Sequence, residues 1–252
     1  MAKADLRIDW ATHAAAKYAC ENWHYSGCLP AGKLVKVGAW ENGKFIGVVL
    51  FSYGASPPLF VWAKQTLGLE KNEICELTRI ALRHHKNSVS RIVKIALAFL
   101  RKQSPGLRCI VSFADIDENH HGGIYQAGNW TYVGASNVNG RQGFWIKGRK
   151  VHARSVGALS GSNSLAGAKR LDANAIEIRT KGKHKYLMPL DAEMRKQIAP
   201  LAKPYPKRAK QAMTGPPVQR QGSTDPHAPE QATSDTFLRV ENGKGDNEQG
   251  AA

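Results

Sequence analysis

The chain has 252 residues, 42% of them apolar, which is enough for one sizeable core. No apolar run approaches the ~20 residues of a membrane span, and the start, MAKADLRIDW, has no apolar export stretch, so a cytoplasmic protein without a membrane partner is expected. Lys and Arg outnumber Asp and Glu by 36 to 20, and the four dispersed cysteines (Cys20, Cys28, Cys75, Cys109) read as reduced thiols, not as a disulfide framework or a zinc site.

Residues 11–23 have helical spacing, with Thr12 placed to cap the start. Leu34–Glu41 and Lys44–Tyr53 alternate as strands around Asn42-Gly43, a type I′ hairpin signal because both residues tolerate positive φ. Gly54–Pro58 breaks the second strand, and Leu59–Leu69 reads as a lid segment or a short helix. Ile74–Arg83 is a third strand, expected to show Glu76, Thr78, Ile80 and Leu82 on one face. Ser88 or Ser90 then opens an amphipathic helix to Gln103. Pro105-Gly106 turns the chain into a buried strand, Cys109–Asp115. A polar loop (Ile116–His121) and a short helix (Gly122–Trp130) follow, then strands at Thr131–Gly134 and Gly143–Lys147. Ile176–Arg179 and Lys185–Leu190 suggest a further hairpin. The early meander with later helices points to an α+β protein with a mixed sheet.

Charge is unevenly placed. Residues 150–212 hold 14 Lys/Arg and 4 Asp/Glu, whereas residues 213–252 hold 3 basic and 6 acidic ones. The basic stretch would attract a polyanion through phosphate contacts. We therefore expect a packed core over 1–150, a basic extension over 151–210 able to attract a polyanion such as a nucleic acid, and a disordered, weakly apolar tail over 211–252. The core is the catalytic part, and the extension the part that contacts DNA, only by the resemblances that follow.

The succession of hairpin, acid-bearing strand, helix, strand and short helix resembles the GNAT acyl-CoA N-acyltransferases. Glu76-Leu77-Thr78-Arg79-Ile80-Ala81-Leu82 is similar to their central strand, whose backbone around Ile80 and Leu82 would pair with the pantetheine amides. Ile124-Tyr125-Gln126-Ala127-Gly128-Asn129-Trp130 resembles their Leu-Tyr-x-x-x-Gly-Phe motif, which makes Tyr125 the acid for the departing thiolate. A phenol of pKa about 10 suits a thiolate whose parent pKa is about 8.5. The loop Arg83–Arg91 corresponds to the family's diphosphate loop, with Ser88 and Ser90 at glycine positions. By that resemblance Ser88, Ser90 and Arg91 would bind the cofactor phosphates at a helix N-terminus.

A second resemblance is to the Mom family of DNA-modification proteins of Mu-like phages. Its carriers are Glu21-Asn22-Trp23-His24-Tyr25-Ser26, Val37–Glu41, Phe45–Phe51, Glu76–Leu82, Ser112-Phe113-Ala114-Asp115, His120–Trp130 and Lys203-Pro204-Tyr205-Pro206-Lys207, in the same order. It implies an enzyme that converts adenine in DNA to an N6-methylcarbamoyl form and so shields phage DNA from host restriction. Acetyl-CoA is the implied cofactor, and iron is connected with the chemistry.

Adenine N6 is hydrogen-bonded inside a duplex, so its base must be flipped or already unpaired; Tyr53, Trp62 and Trp130 are candidate walls. The implied product joins nitrogen to a CH2 that bears an amide, which thiolate protonation by Tyr125 does not by itself achieve. Groups able to help are His24, Tyr25, Glu76, Asp115, Asp117, Glu118, His120 and His121. Tyr125, Asp115, His24, Tyr25 and Glu76 are the expected catalytic set, and His24, Asp115 and His121 the expected metal ligands. The alternatives are an ordinary N-acetyltransferase acting on a small amine or a protein, and a non-catalytic DNA-binding module on an acyltransferase scaffold.

Overall fold

A computed structural model describes residues 5–53 and 57–208 of the chain; the expected tail at 211–252 and most of the expected break at Gly54–Pro58 lie outside the described residues. β1 (Leu6–Trp10) pairs antiparallel with β2 (Leu34–Glu41), and the left-handed residues Asn42 and Gly43 fold β2 back on β3 (Lys44–Ser52), as Asn-Gly predicts. β4 (Ile74–Leu82) is antiparallel to β3 and parallel to β5 (Cys109–Asp115). β6 (Thr131–Ser136) closes the edge of a seven-stranded sheet whose order is β1-β2-β3-β4-β5-β10-β6, with β10 spanning Lys183–Pro189.

Alternation along the strands sends side chains to two faces, each covered by helices. On one face, Ala15, Ala16, Ala19 and Cys20 of α1 (His13–Trp23) pack on Trp40, Val48, Leu50 and Ala81. On the same side α2 (Pro57–Leu67) sets Leu59, Ala63 and Leu67 against Ile74, Cys109, Val111 and Leu187. The opposite face takes the apolar stripe of α3 (Val89–Gln103), with Ile92, Val93, Ala96 and Leu100 against Val49, Phe51, Leu77 and Ile110. Each fully buried Leu, Ile, Val or Phe contributes about 1.5–3 kcal/mol. An exposed pair such as Lys17–Glu21 adds at most about 0.5 kcal/mol, so the two apolar faces hold the fold. Thr12 caps α1 by accepting the Ala15 N–H. Among the described residues no helix is long and apolar enough to cross a membrane.

Three expectations are corrected. First, the Leu50↔Arg79 and Phe51↔Leu77 pairs leave Thr78 as an extra residue in β4. This bulge reverses the alternation, so Glu76 lies on the face opposite Cys75 and Leu77, while Ile80 and Leu82 turn toward α3. Second, Ile176–Arg179 and Lys185–Leu190 form no hairpin. β7 (Arg141–Ile146), β8 (Arg149–His152) and β9 (Ile176–Arg179) make a separate three-stranded sheet, covered by α5 (Ala153–Ser160) and α6 (Leu165–Leu171) around Phe144, Val156 and Ala168. Third, the break expected at residue 150 falls inside β8, and β10 returns to the main sheet between β5 and β6. The stretch after 150 therefore supplies both a small lobe and a central strand, completed by α7 (Ala192–Ile198).

α4 (Gly123–Ala127) is only five residues long and is fixed from outside. Its N-cap is Gly122, which has a φ of 80° and whose lack of a Cβ leaves room for the buried Tyr186 ring, because a Cβ there would lie 2.3 Å from Tyr186 Cε2. Gly122→Ala is therefore expected to cost about 1–3 kcal/mol, checked by thermal unfolding as a drop of about 2–4 °C per kcal/mol.

Candidate active site

Parallel pairing of β4 with β5 runs only from Ile74↔Cys109 to Leu77↔Ser112, and beyond it the strands part. Arg83 donates its N–H to the Ile46 carbonyl on the β3 side (2.9 Å). By antiparallel alternation Ala81 and Arg79 also face β3, so Ile80 and Leu82 turn their N–H and C=O groups to the edge that β5 has left. This is the edge expected to meet an extended amide chain.

Ser112 stands where the strands part. Its hydroxyl lies 2.8 Å from the Leu77 carbonyl and 2.8 Å from the Tyr125 phenol. The single Ser112 proton can be given to either acceptor, the Leu77 carbonyl or the Tyr125 oxygen. Burial is the main cause that pushes the Tyr125 phenol up to about 12, against the lowering effect of Ser112, with Tyr25, Glu76 and Tyr186 adding to the rise. Tyr125 thus holds its proton at neutral pH. Its ring packs against Trp130 (5.2 Å) and Tyr186 (5.1 Å), which fixes its direction.

On the other face of β5, Asp115 is buried and pairs with Lys183 (3.2 Å), directly opposite it on β10. Its Oδ1 also accepts the Asp117 N–H, so it braces the loop that leads to α4. Glu76 on β4 is raised by burial, opposed by Lys183 and Arg79. Arg79 donates to the Thr78 carbonyl (2.8 Å), while its buried Nε has no hydrogen-bond partner.

The end of α1 brings His24 and Tyr25 across the opening. Their rings lie 4.3 Å apart, and Tyr25 meets His120 edge-on at 5.2 Å. Burial first, then Arg79 and His120, push His24 down to about 4. The Ser26 N–H donates to His24 Nδ1 (3.1 Å), which puts the proton of the neutral ring on Nε2. His24 therefore carries its ring proton on Nε2 and is no ready base. Burial raises the Tyr25 phenol, and Asp115 adds to it.

The expected set His24, Tyr25, Glu76, Asp115 and Tyr125 thus gathers around the fork, from both faces of the sheet. The expected metal set does not fit. The His121 charge acts on His184, whereas it is the His120 ring that meets Tyr25. His24 Nδ1 is already an acceptor for Ser26, and Asp115 is engaged by Lys183 and Asp117. Among the described residues no three His, Cys, Asp or Glu side chains form a group suited to a metal ion.

The expected phosphate loop is also partly taken. The Glu41 carboxylate accepts the Lys86 N–H (2.9 Å), the Asn87 N–H (2.8 Å) and Asn87 Nδ2 (2.7 Å). Burial raises Glu41, but these bonds and the His85 charge outweigh it and hold the group below the usual carboxylate range. Arg91 bonds Asn87 Oδ1 (2.6 Å) and Ser90 faces Ser88 (3.5 Å), so the side chains named for cofactor phosphates are in part bound to their own loop.

Sequence reasoning passed over Ser112, Arg79 and Lys183. Arg79 had a visible signal, as a cation inside an otherwise apolar strand. Trp130 is core and Trp62 lies under Lys185 Nζ (3.7 Å), so of the expected base-flipping walls Tyr53 alone is well exposed.

Because the folded value of His24 lies below that of the unfolded chain, folding favours the neutral ring. Its contribution is whole above about pH 6.5 and is lost as pH falls toward about 4, since the unfolded chain binds the proton first. Chemical denaturation between these pH values is expected to show a shallower loss in His24→Gln than in the parent chain.

Residues 5–207 match the model of the Mom protein family. The methylcarbamoylase Mom of Escherichia phage Mu is 22% identical over 208 residues, covering 81% of this chain and 84% of that protein. Among solved structures, a putative acetyltransferase from Acinetobacter baylyi ADP1 superposes with a TM-score of 0.39 at 12% identity, covering 76% of this chain and 95% of its own. A Bacillus subtilis acetyltransferase in complex with CoA gives 0.35 at 11% identity, covering 75% and 100%. With the match running from the first described strand to the end of the described chain, the protein belongs to the Mom protein family.

Proposed function

We propose that the protein is a DNA-modifying transferase that converts adenine to its N6-methylcarbamoyl form, with an acyl-CoA seated at the fork between β4 and β5. The observation that carries the reading is the convergence there of His24, Tyr25, Glu76, Asp115 and Tyr125, drawn from four separate segments. Membership of the Mom family and the likeness to the phage Mu methylcarbamoylase support it. Protection of phage DNA from restriction is the biological role this implies.

The open edge of β4 at Ile80 and Leu82 fits the amides of a pantetheine arm, and Ser88, Ser90 and Arg91 border the place of its phosphates. When bound, the thioester would supply the two carbons: a nitrogen nucleophile taken from solution would displace the thiolate at the carbonyl carbon, breaking C–S and forming the amide C–N bond. Joining N6 to the methyl carbon is a separate step that needs an external two-electron oxidant. Tyr125, kept protonated by burial and aligned by Ser112, gives that thiolate a proton. On the other side of the fork, Glu76 and Asp115 border the adenine N6, Glu76 with its affinity for a proton raised. The Nε2–H of His24 and the buried Nε of Arg79 offer donors to a carbonyl or a developing oxyanion. Among the described residues iron has no fitting ligand set, and it enters no step.

The test is to express the full chain in bacteria, digest total DNA to nucleosides and look by mass spectrometry for deoxyadenosine carrying the added mass of a methylcarbamoyl group. Soluble protein with unmodified DNA sinks the reading. Tyr125→Phe is expected to lower the modified fraction by about 10²–10⁴-fold, the usual size of a lost acid–base role. Full modification by that variant would remove Tyr125 from the catalytic set.

A further inference from the structure

The small lobe has a sheet face that its own helices leave uncovered. Cross-strand partners share a face, and Phe144, Ile146 and Val151 point to α5 and α6. The opposite face carries a row of Lys150, Trp145 and Ile176 across β8, β7 and β9, and beside it a row of His152, Gly143 and Ile178. Trp145 is 47% and Ile176 65% exposed, a large apolar pair set in water beside a cation. Gly143 leaves the middle of the second row without a side chain.

This face is joined to the fork. Thr180, at the end of β9, donates to Asp117 Oδ2, Gln142 reaches the same oxygen at 3.3 Å, and the Lys181 N–H meets Oδ1 at 3.1 Å. Asp117 stands two residues after Asp115, and the charges of Lys150 and Lys181 both act on it. The lobe, Arg141–Arg179, holds eight Lys/Arg against two Asp/Glu. Both acids are engaged internally, Glu177 by Arg141 and Arg179, and Asp172 by the Lys147 and Asn174 N–H groups. The lobe thus presents surplus cations around an exposed indole.

We propose that this face is a stacking platform for an unpaired strand of DNA beside the target adenine, with Trp145 and Ile176 under a base and Lys150 at its phosphate. It rests on the reading of DNA as substrate and adds where the strand lies and that it is single-stranded there. A base taken out of the helix leaves its neighbours unstacked, and an indole with an adjacent cation replaces both the stacking and the charge neutralisation. An acidic peptide would satisfy the lysine but would leave the indole without a flat partner.

The test uses the full-length chain and labelled DNA oligonucleotides of one sequence, single-stranded and duplex, titrated by fluorescence anisotropy at several salt concentrations. The single strand is expected to bind more tightly than the duplex. Trp145→Ala should weaken single-strand binding about tenfold with its salt slope kept, and Trp145→Phe should restore most of it. Lys150→Ala should reduce the slope of log affinity on log salt by about 0.7. Matching thermal unfolding curves show that the variants fold. Unchanged single-strand affinity in Trp145→Ala overturns the platform. So does equal, Trp145-dependent binding of polyglutamate, or a dimer of the parent chain that Trp145→Ala dissolves. Nucleoside mass spectrometry on the same variants keeps the two ideas apart. Trp145-dependent binding without any modified deoxyadenosine keeps the platform and removes the chemistry, whereas modification with unchanged binding in Trp145→Ala does the reverse.

Discussion

Where β4 and β5 separate, backbone groups lose their strand partners, and the rest of the site is organised by how that loss is met. A buried peptide group left without a partner costs about 1–3 kcal/mol, so a fork inside a sheet persists only if something else binds it. Ser112 bonds the Leu77 carbonyl and Arg79 the Thr78 carbonyl. Past them, the edge at Ile80 and Leu82 has its groups directed into the gap. Ser112 links this repair to Tyr125, and Arg79 links it to Glu76 and His24. The groups that stabilise the fork are therefore also those that shape the cleft.

The polarity of the cleft follows from its partial burial. Neutral His24 and protonated Tyr125 are both uncharged, while the cations Arg79 and Lys183 offset the carboxylates Glu76 and Asp115. Burial disfavours charge, and only paired or opposed charges are retained. The arrangement separates a proton-holding side around Tyr125 from a charged side around Asp115, with β5 between them.

Local rules carried much of the fold. Asn42-Gly43, the Thr12 cap and the apolar stripe of 89–103 each specify their element through interactions within a few residues. Local alternation in Ile74–Arg83 misplaces Thr78, because a bulge depends on the partner strand. Lys185–Leu190 reads locally as the partner of Ile176–Arg179, although the partners of β10, Cys109–Asp115 and Thr131–Ser136, lie about 47 to 80 residues upstream. The Glu41 brace was invisible for the same reason, since its donors at Lys86 and Asn87 lie 45 and 46 residues away. The gathering of His24, Tyr25, Glu76, Asp115 and Tyr125 came from family motifs; spacing alone would not have joined segments that far apart.

Gln126 shows how late the site is completed. Its side-chain N–H2 group meets the His121 carbonyl (3.0 Å), the Tyr186 phenol (3.1 Å) and the Pro206 carbonyl (3.1 Å), while Tyr205 donates to the Trp130 carbonyl (2.8 Å). The helix that carries Tyr125 is thus clamped by residues made some 60 to 80 positions after it. During synthesis, the ribosome must release all of β10 and the segment through Pro206 before that helix is seated. A chain that stops before Pro206 lacks this clamp, so the seat of α4 is finished only when nearly all of the described residues have been made.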